Sequence, residues 1–315
     1  MFRIIASSLR IHPSDGGKFI QLPERYYKIM VNPEQYVSFD KMCKSNVSHI
    51  ISEFAKDLKN ISGKCMDVGC GPGDITRDIL LPVLNSKATI IGTDIMENVV
   101  EYANKTYGDN KRLKFEMLDI QTKKLPKKYI SEFDHIFSFH ALQWCNDICQ
   151  TFENIYCMLR PGKTMLILSI ARCKALYEPM EIMAQDIRYA PYMGDKKKYV
   201  GSFHYSARPR KELKELLEDI GFQVHHCSHR EMSNCTSTEI FMSMVTSQYT
   251  FAFLDKMPHN LREEFKNELE HMFKEIKVKQ YRDRQGNYKL HDEEKEMNIP
   301  AAYSILVAYA QKNVS

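Results

Sequence analysis

Three carboxylates each follow a short apolar run: Asp67 in "KCMDVGCGPG", Asp94 in "ATIIGTDI" and Asp119 in "LKFEMLDI". Behind the first come Gly69, Gly71 and Gly73, leading straight into the helical pattern "GDITRDIL". Glycines at a strand-to-helix turn let the backbone approach a ligand closely, and the helix start offers unpaired N–H groups. A dinucleotide would call for G-x-G-x-x-G, so that its pyrophosphate rests on those groups. Here Asp74 stands at the helix start, where its charge would repel a pyrophosphate. A P-loop needs G-K-[ST], which the turn lacks.

A cofactor that ends in an amino acid fits better. S-adenosyl-L-methionine carries an ammonium, a carboxylate and a sulfonium. Asp67 favours its cationic part, and the exposed amides of Gly69, Cys70, Gly71 and Gly73 receive its carboxylate. Asp94 and Ile95 stand where the second strand ends, suited to the two ribose hydroxyls. Asp119 and Ile120 end the third strand, suited to the adenine amine and one adenine face. Each acid also has an ordinary structural use, as a turn cap, a helix N-cap or a loop acid. Their shared position, at three successive strand ends, is what points to one ligand.

The elements that must position these groups follow from periodicity. "KCMDVG", "ATIIGTD", "LKFEMLDI", "FDHIFSFH" and "KTMLILSIA" read as strands, with "GDITRDILLPVL", "ENVVEYANKTY" and "DICQTFENIYCMLR" as helices between them. Pro161-Gly162 is expected to end the last of these helices. Alternation of this kind predicts an α/β fold: a mostly parallel sheet covered on both faces, with ligands beyond the carboxyl ends of its strands. After residue 171 the rhythm changes to Met- and Tyr-rich helical segments, then "RKELKELLEDIGF", the strand candidate "FQVHHCSHREM" and a helical stretch over 238–278 broken at Pro258. The expected organisation is an N-terminal extension over 1–30, a cofactor-binding core over 31–171, and the remaining sheet with a helical cap over 172–315.

Composition narrows the partners. The 315 residues are 43% hydrophobic and 27% charged, enough to bury a full core. A net charge of +4 is mild, and Lys123-Lys124, Lys127-Lys128 and Lys196-Lys197-Lys198 read as solvated loop faces, so no nucleic-acid partner is expected. No apolar stretch approaches a bilayer span. The nine cysteines form no C-x-x-C pair and no zinc spacing, so reduced thiols, no metal and a cytoplasmic location are expected. Arg3, Arg10, Ser7 and Ser8, with no acid before Asp15, give the first residues the composition of a weak mitochondrial transit peptide. A disordered extension is the simpler reading of that segment.

Taken together, "DVGCGPG", "GTD", "LDI" and "RPGKTMLIL" resemble the class I S-adenosylmethionine-dependent methyltransferases. The resemblance covers residues 45–311 and implies a Rossmann-like, seven-stranded, mostly parallel sheet whose last strand, here "AAYSILVAYAQK", runs antiparallel. "NPEQY", "DVGCGPGDIT", "SFHALQW" and "NIYCMLRPGK" are more narrowly similar to the insect juvenile hormone acid methyltransferase family. That resemblance implies methylation of the carboxylate of an apolar acid such as juvenile hormone acid or farnesoic acid. It also implies that Trp144 lines the substrate site. Counted from Tyr36, Cys43 takes the place of a family glutamine that helps hold the substrate carboxylate.

A carboxylic acid is already ionised near neutral pH, so such an acceptor needs no general base, only positioning in line with the methyl group and exclusion of water. "SFHALQW" supplies the candidates: Ser138 at the end of the fourth strand, His140 and Gln143 as donors, and Trp144 with an indole N–H and a large apolar face. His140 and Trp144 are the expected catalytic pair, with Tyr36, Cys43, Gln143 and Trp144 around the substrate. "MEIMAQDIRYAPYM" and "EIFMSMVTSQYTFAFL" could wall an apolar tunnel. Other readings stay open: transfer to another small acid or an amine, or a non-catalytic cofactor- or lipid-binding relative. A polar acceptor would call for Arg or Lys in the cap, with Arg172, Arg188 and Arg208 as candidates. A homodimer is left open.

Overall fold

A computed structural model describes residues 41–314, except 110, 235–237, 247–248 and 286–298, together with Pro33 and Val37. Seven strands form one sheet in the order β3-β2-β1-β4-β5-β7-β6. They are β1 (Lys64–Val68), β2 (Thr89–Asp94), β3 (Leu113–Met117), β4 (Phe133–Phe139), β5 (Leu159–Arg172), β6 (Phe222–Asn234) and β7 (Ala301–Lys312). Strands β1 to β5 pair in parallel, while β7 runs antiparallel to both β5 and β6. The strands of the parallel half are apolar almost throughout because both faces are covered; Cys65, Met66, Ile90, Ile136 and Phe137 are all sealed from solvent.

The helices are α1 (Lys41–Glu53), α2 (Glu97–Tyr107), α3 (Ile148–Met158), α4 (Lys174–Met183), α5 (Pro209–Ile220), α6 (Thr238–Thr246) and α7 (His259–Gln285). Helix α2 matches the segment expected from spacing, and α5 stops at Gly221 as expected. Two local expectations need correction. The segment after the glycine turn is a π-type turn over Thr76–Leu80 followed by a 3-10 turn over Leu81–Val83, with Pro82 withholding a backbone donor. Pro161-Gly162 does not end α3. The helix stops at Met158, and the pair lies in β5, where Gly162 takes φ +72° and the register with β4 jumps from Phe133↔Leu159 to His135↔Thr164.

From β1 the chain builds outward through β2 to β3, then returns to place β4 on the other side of β1. The strand order therefore reverses between β1 and β4, and a crevice is expected beyond their carboxyl ends. Residues 69–73 follow β1 and residues 140–144 follow β4, so both motifs singled out in the sequence converge there. Between β5 and β6 lie α4, a single turn Ala190–Met193, a 3-10 turn Lys196–Tyr199 and α5. Between β6 and β7 lie α6, a 3-10 segment Tyr249–Lys256 and α7. These insertions supply the cap.

Candidate active site

A cavity of about 440 Å³ opens at the crevice. Its floor carries four carboxylates: Asp67, Asp74, Asp94 and Asp119. Asp67 is the penultimate residue of β1, is 2% exposed and accepts a 2.6 Å hydrogen bond from the Thr76 hydroxyl. Burial outweighs that bond and pushes its carboxyl up to about 7. Asp94 closes β2; its Oδ2 accepts from the Gly71 N–H at 3.1 Å and its Oδ1 from the Met96 N–H at 3.0 Å. Burial raises its pKa too, against those backbone hydrogen bonds. Asp119 lies two residues beyond β3, not at its end as expected, and its Oδ1 accepts from the Gln121 N–H at 2.9 Å. The structural use of these acids in turns and their place on one cavity wall thus coincide.

Between the first two acids the glycine turn is pinned by the Gly69 and Cys70 N–H groups, both donating to the Thr93 carbonyl at 2.7 and 2.9 Å. Gly71 takes φ +55°, and a Cβ added there would meet nothing within 4 Å, so its missing side chain is open space on the cavity wall. Gly73 differs. At φ +90°, a Cβ would strike the Phe115 ring at 2.6 Å, and the residue does not line the cavity. It serves packing against β3 instead of the ligand contact expected of it. Ile95 and Ile120 line the cavity beside their acids, as does Cys70, whose thiol burial holds well above its ordinary pKa.

The opposite wall is built by the loop after β4 and by α1. His140 lines the cavity with φ +54°, a strained value for a residue with a side chain. Burial lowers its pKa to about 4, so the ring is neutral. Its Nε2 faces the Asn46 amide nitrogen at 3.3 Å, and that amide also donates to the Tyr303 hydroxyl at 2.8 Å. The shielded Nδ1 has no hydrogen-bond partner. Trp144 lines the cavity too, edge-on to Tyr177 and Phe251 at 6.5 and 6.4 Å between ring centres. Cys43, on α1, is 4% exposed and faces the same space.

Two other expected contacts go elsewhere. Ser138 is fully buried and gives its hydroxyl to the Val68 carbonyl at 2.8 Å, tying β4 to β1 instead of reaching the cavity. Gln143 is 6% exposed; its amide donates to the His140 carbonyl at 2.6 Å and its oxygen accepts from Ser169 and from the Ile170 N–H. It braces the loop that carries His140 and Trp144 and does not line the cavity. Tyr36 lies outside the described residues.

Sequence reasoning missed four contributors. Asn46 holds His140 but sits mid-helix with no motif around it. Lys44 pairs at 2.5 Å with Asp74 and also donates to the Val37 carbonyl, fastening α1 to the glycine turn. Lys198 and Lys256 line the cavity from the cap. Lys198 belongs to a lysine run that reads as a solvated face, and only tertiary structure brings it to the cavity. Among the described residues, no cluster of three His, Cys, Asp or Glu could hold a metal, and no helix is long and apolar enough to cross a membrane.

The strand order, the glycine turn and the acids at successive strand ends define a methyltransferase of Rossmann-like fold. A family profile described as a methyltransferase domain matches residues 59–284, and the chain belongs to that family. Its cofactor is S-adenosylmethionine. The chain is 28% identical to the juvenile hormone acid O-methyltransferase of Drosophila melanogaster over 281 residues, 88% of this chain and 91% of that protein. It is 27% identical to the juvenile hormone acid O-methyltransferase of Bombyx mori over 61% of this chain and 69% of that one. Among solved structures, a Bacillus halodurans protein described as a methyltransferase superposes with a TM-score of 0.53 at 10% identity. The match covers 84% of this chain and 98% of that one, a likeness of fold.

The floor fits the cofactor on its own geometry. Buried carboxylates that cannot ionise freely have reason to face a cation, and the open space at Gly71 leaves room for a chain of atoms against the backbone. When bound, S-adenosylmethionine supplies an electrophilic methyl group on a positively charged sulfur.

Proposed function

We propose that the protein methylates the carboxylate of a small apolar acid, of the kind represented by juvenile hormone acid or farnesoic acid. In this reading Asp94 holds the ribose, and Asp119 with Ile120 holds the adenine. Asp67 faces the cationic end of the cofactor. The Gly69, Cys70 and Gly71 N–H groups, expected to receive its carboxylate, are instead given to the Thr93 carbonyl and to Asp94 and shape the turn beside which that end lies. The acceptor lies against Trp144, Cys43 and the cap.

One observation carries the reading: among the described residues, the end of β4 on the acceptor wall offers no competent base. His140 is its titratable group at the end of β4, and desolvation holds that ring neutral with a pKa of about 4. A hydroxyl or ammonium acceptor must lose a proton to become nucleophilic, and a base that weak takes it poorly. A carboxylate needs no such help, since it is ionised above about pH 4. Apart from Lys198 and Lys256 at the cap, that wall is largely apolar and aromatic, with Trp144, Tyr192, Met193, Tyr199 and Phe253 around it. Such a lining suits an apolar tail, excludes water and strengthens the attraction between carboxylate and sulfonium. The two insect relatives bear names that state methylation of an acid.

The test is direct. The protein is incubated with methyl-labelled S-adenosylmethionine and a panel of isoprenoid, fatty and polar acids, alcohols and amines, and products are identified by mass spectrometry. A labelled methyl ester of an apolar acid is the expected product. Labelled amine or ether with no ester overturns the reading.

A further inference from the structure

The cavity is polarised in charge from floor to rim. Asp67 and Asp74 are each 2% exposed, so that pair of carboxylates is deep. Lys198 and Lys256 are solvent-exposed residues that still line the cavity, which places them at its opening. They come from different cap segments, the turn Lys196–Tyr199 and the segment Tyr249–Lys256. No other Lys or Arg among the described residues lines the cavity. His140 supplies no charge there, being neutral at any pH well above about 4.

The arginines of the cap are engaged elsewhere. Arg172 donates to the Ser206 carbonyl, and Arg188 is held by Asp186, Glu264 and Glu268. Arg208 does not line the cavity. Lys198, by contrast, meets no carboxylate within ion-pair distance among the described residues. At the α1 position that faces the cavity the chain has Cys43, whose S–H is only a weak donor. Among the described residues lining the cavity, Lys198 and Lys256 are thus the cationic side chains that an acceptor anion can meet.

We infer that Lys198 and Lys256 are the groups that recognise the acceptor's negative charge, so the cap rim, not helix α1, selects acids over amines and neutral molecules. The inference rests on the acid-acceptor reading above and assigns its specificity. Two ammonium groups on long, flexible stems draw an anion toward the opening and disfavour a cation. Because they are exposed, their effect is screened by salt. They act in binding and steering, while the methyl transfer itself is left to the geometry set by His140 and Trp144.

The experiment uses the full chain and the best acid substrate from the panel above. K198Q, K256Q and the double variant are compared with the double arginine variant. Readouts are the acid's KM and kcat, the salt dependence of kcat/KM, and the dissociation constant of S-adenosylmethionine by calorimetry. The expected result is a KM raised roughly tenfold or more in the double glutamine variant, with a flattened salt dependence. The kcat and donor affinity stay near wild type, and the arginine variant recovers KM. An unchanged KM and salt profile in a protein that esterifies acids overturns the inference. So does a loss confined to donor affinity, which would place the lysines on the cofactor's carboxylate. A wild type that methylates amines and no acid overturns the acid reading itself, and the inference with it.

Discussion

The floor and the rim of one cavity were built by different means. The floor is made at strand ends: Asp67 and Asp94 arrive there because β1, β2 and β3 lie side by side in register, Asp67 opposite Gly92 and Asp94 opposite Met117, and Asp119 follows two residues beyond β3. Backbone hydrogen bonding fixes those positions to a fraction of a residue. The rim is made of short turns between helices, held by side-chain packing such as Tyr199 on Phe253 and Trp144 on Phe251. A ligand that must be gripped identically at every turnover belongs on the first, and one that differs between relatives belongs on the second.

Two glycines only two residues apart give the largest effect and the sharpest contrast. Gly71→Leu places a side chain in the open space on the floor, so beyond the backbone strain of a side chain at φ +55° the protein should fold, yet lose cofactor affinity by roughly 100-fold or more, close to 3 kcal/mol. Gly73→Ala drives a methyl into Phe115 and should instead lower stability by about 1–3 kcal/mol, with cofactor affinity largely kept in the folded fraction. Calorimetry and thermal melting of both variants separate the two. Equal effects of the pair would erase the distinction between ligand space and packing space.

Next in size is Asp94→Ala. Removal of a charged acceptor for hydroxyl groups should weaken the cofactor by about 1.5–3 kcal/mol, or roughly 10- to 100-fold, and leave the acceptor's KM near wild type. Trp144→Ala should do the reverse, raising acceptor KM by roughly tenfold with cofactor affinity unchanged. Steady-state kinetics with both substrates varied checks the crossing pattern. If both variants damage both ligands alike, floor and rim are one functional unit.

Asp67 adds a pH dependence to the floor. Its carboxyl titrates near 7 in the fold and near 3.8 in an unfolded chain, because burial disfavours the charge. The stability it contributes is therefore full below about pH 4 and is lost as pH rises to about 7, where only the unfolded chain ionises freely. A bound cation reverses that preference. Cofactor binding near pH 7 should release a proton, and affinity should fall as pH drops below that value. Calorimetry in buffers of different ionisation enthalpy measures the release. Asp67→Asn should abolish it.

What could be read in the sequence follows the same division. Strand period, the spacing of glycines and the acids after each apolar run are local properties, so the floor was legible before any coordinates. Ser138 and Gln143 were misplaced because pattern gives a residue's neighbourhood but not its hydrogen-bond partner. Ser138 turns to the Val68 carbonyl and Gln143 to the loop behind the site. Lys198 was illegible because three adjacent lysines look alike, and only the packing of Tyr199 beside them decides which one meets the cavity. The antiparallel last strand followed from family resemblance more than from periodicity, and the insertion of β7 between β5 and β6 was not legible at all, because pattern marks strands without saying which ones pair.

The smallest expected effect concerns Cys43, where α1 meets both regions. It lines the cavity, one helical turn before Asn46, the residue that holds His140. A thiol there adds apolar wall and only a weak donor, whereas a glutamine amide would add a donor within reach of an acceptor carboxylate. A single neutral hydrogen bond contributes about 0.5–1.5 kcal/mol, so Cys43→Gln should lower the KM for farnesoic or juvenile hormone acid by roughly three- to tenfold. The gain should be larger in the K198Q/K256Q background, where the carboxylate has lost its rim partners. A glutamine that helps equally in both backgrounds would mean that α1 and the cap do not share the same carboxylate. One that helps in neither would take Cys43 away from the acceptor and return the choice of substrate wholly to the cap.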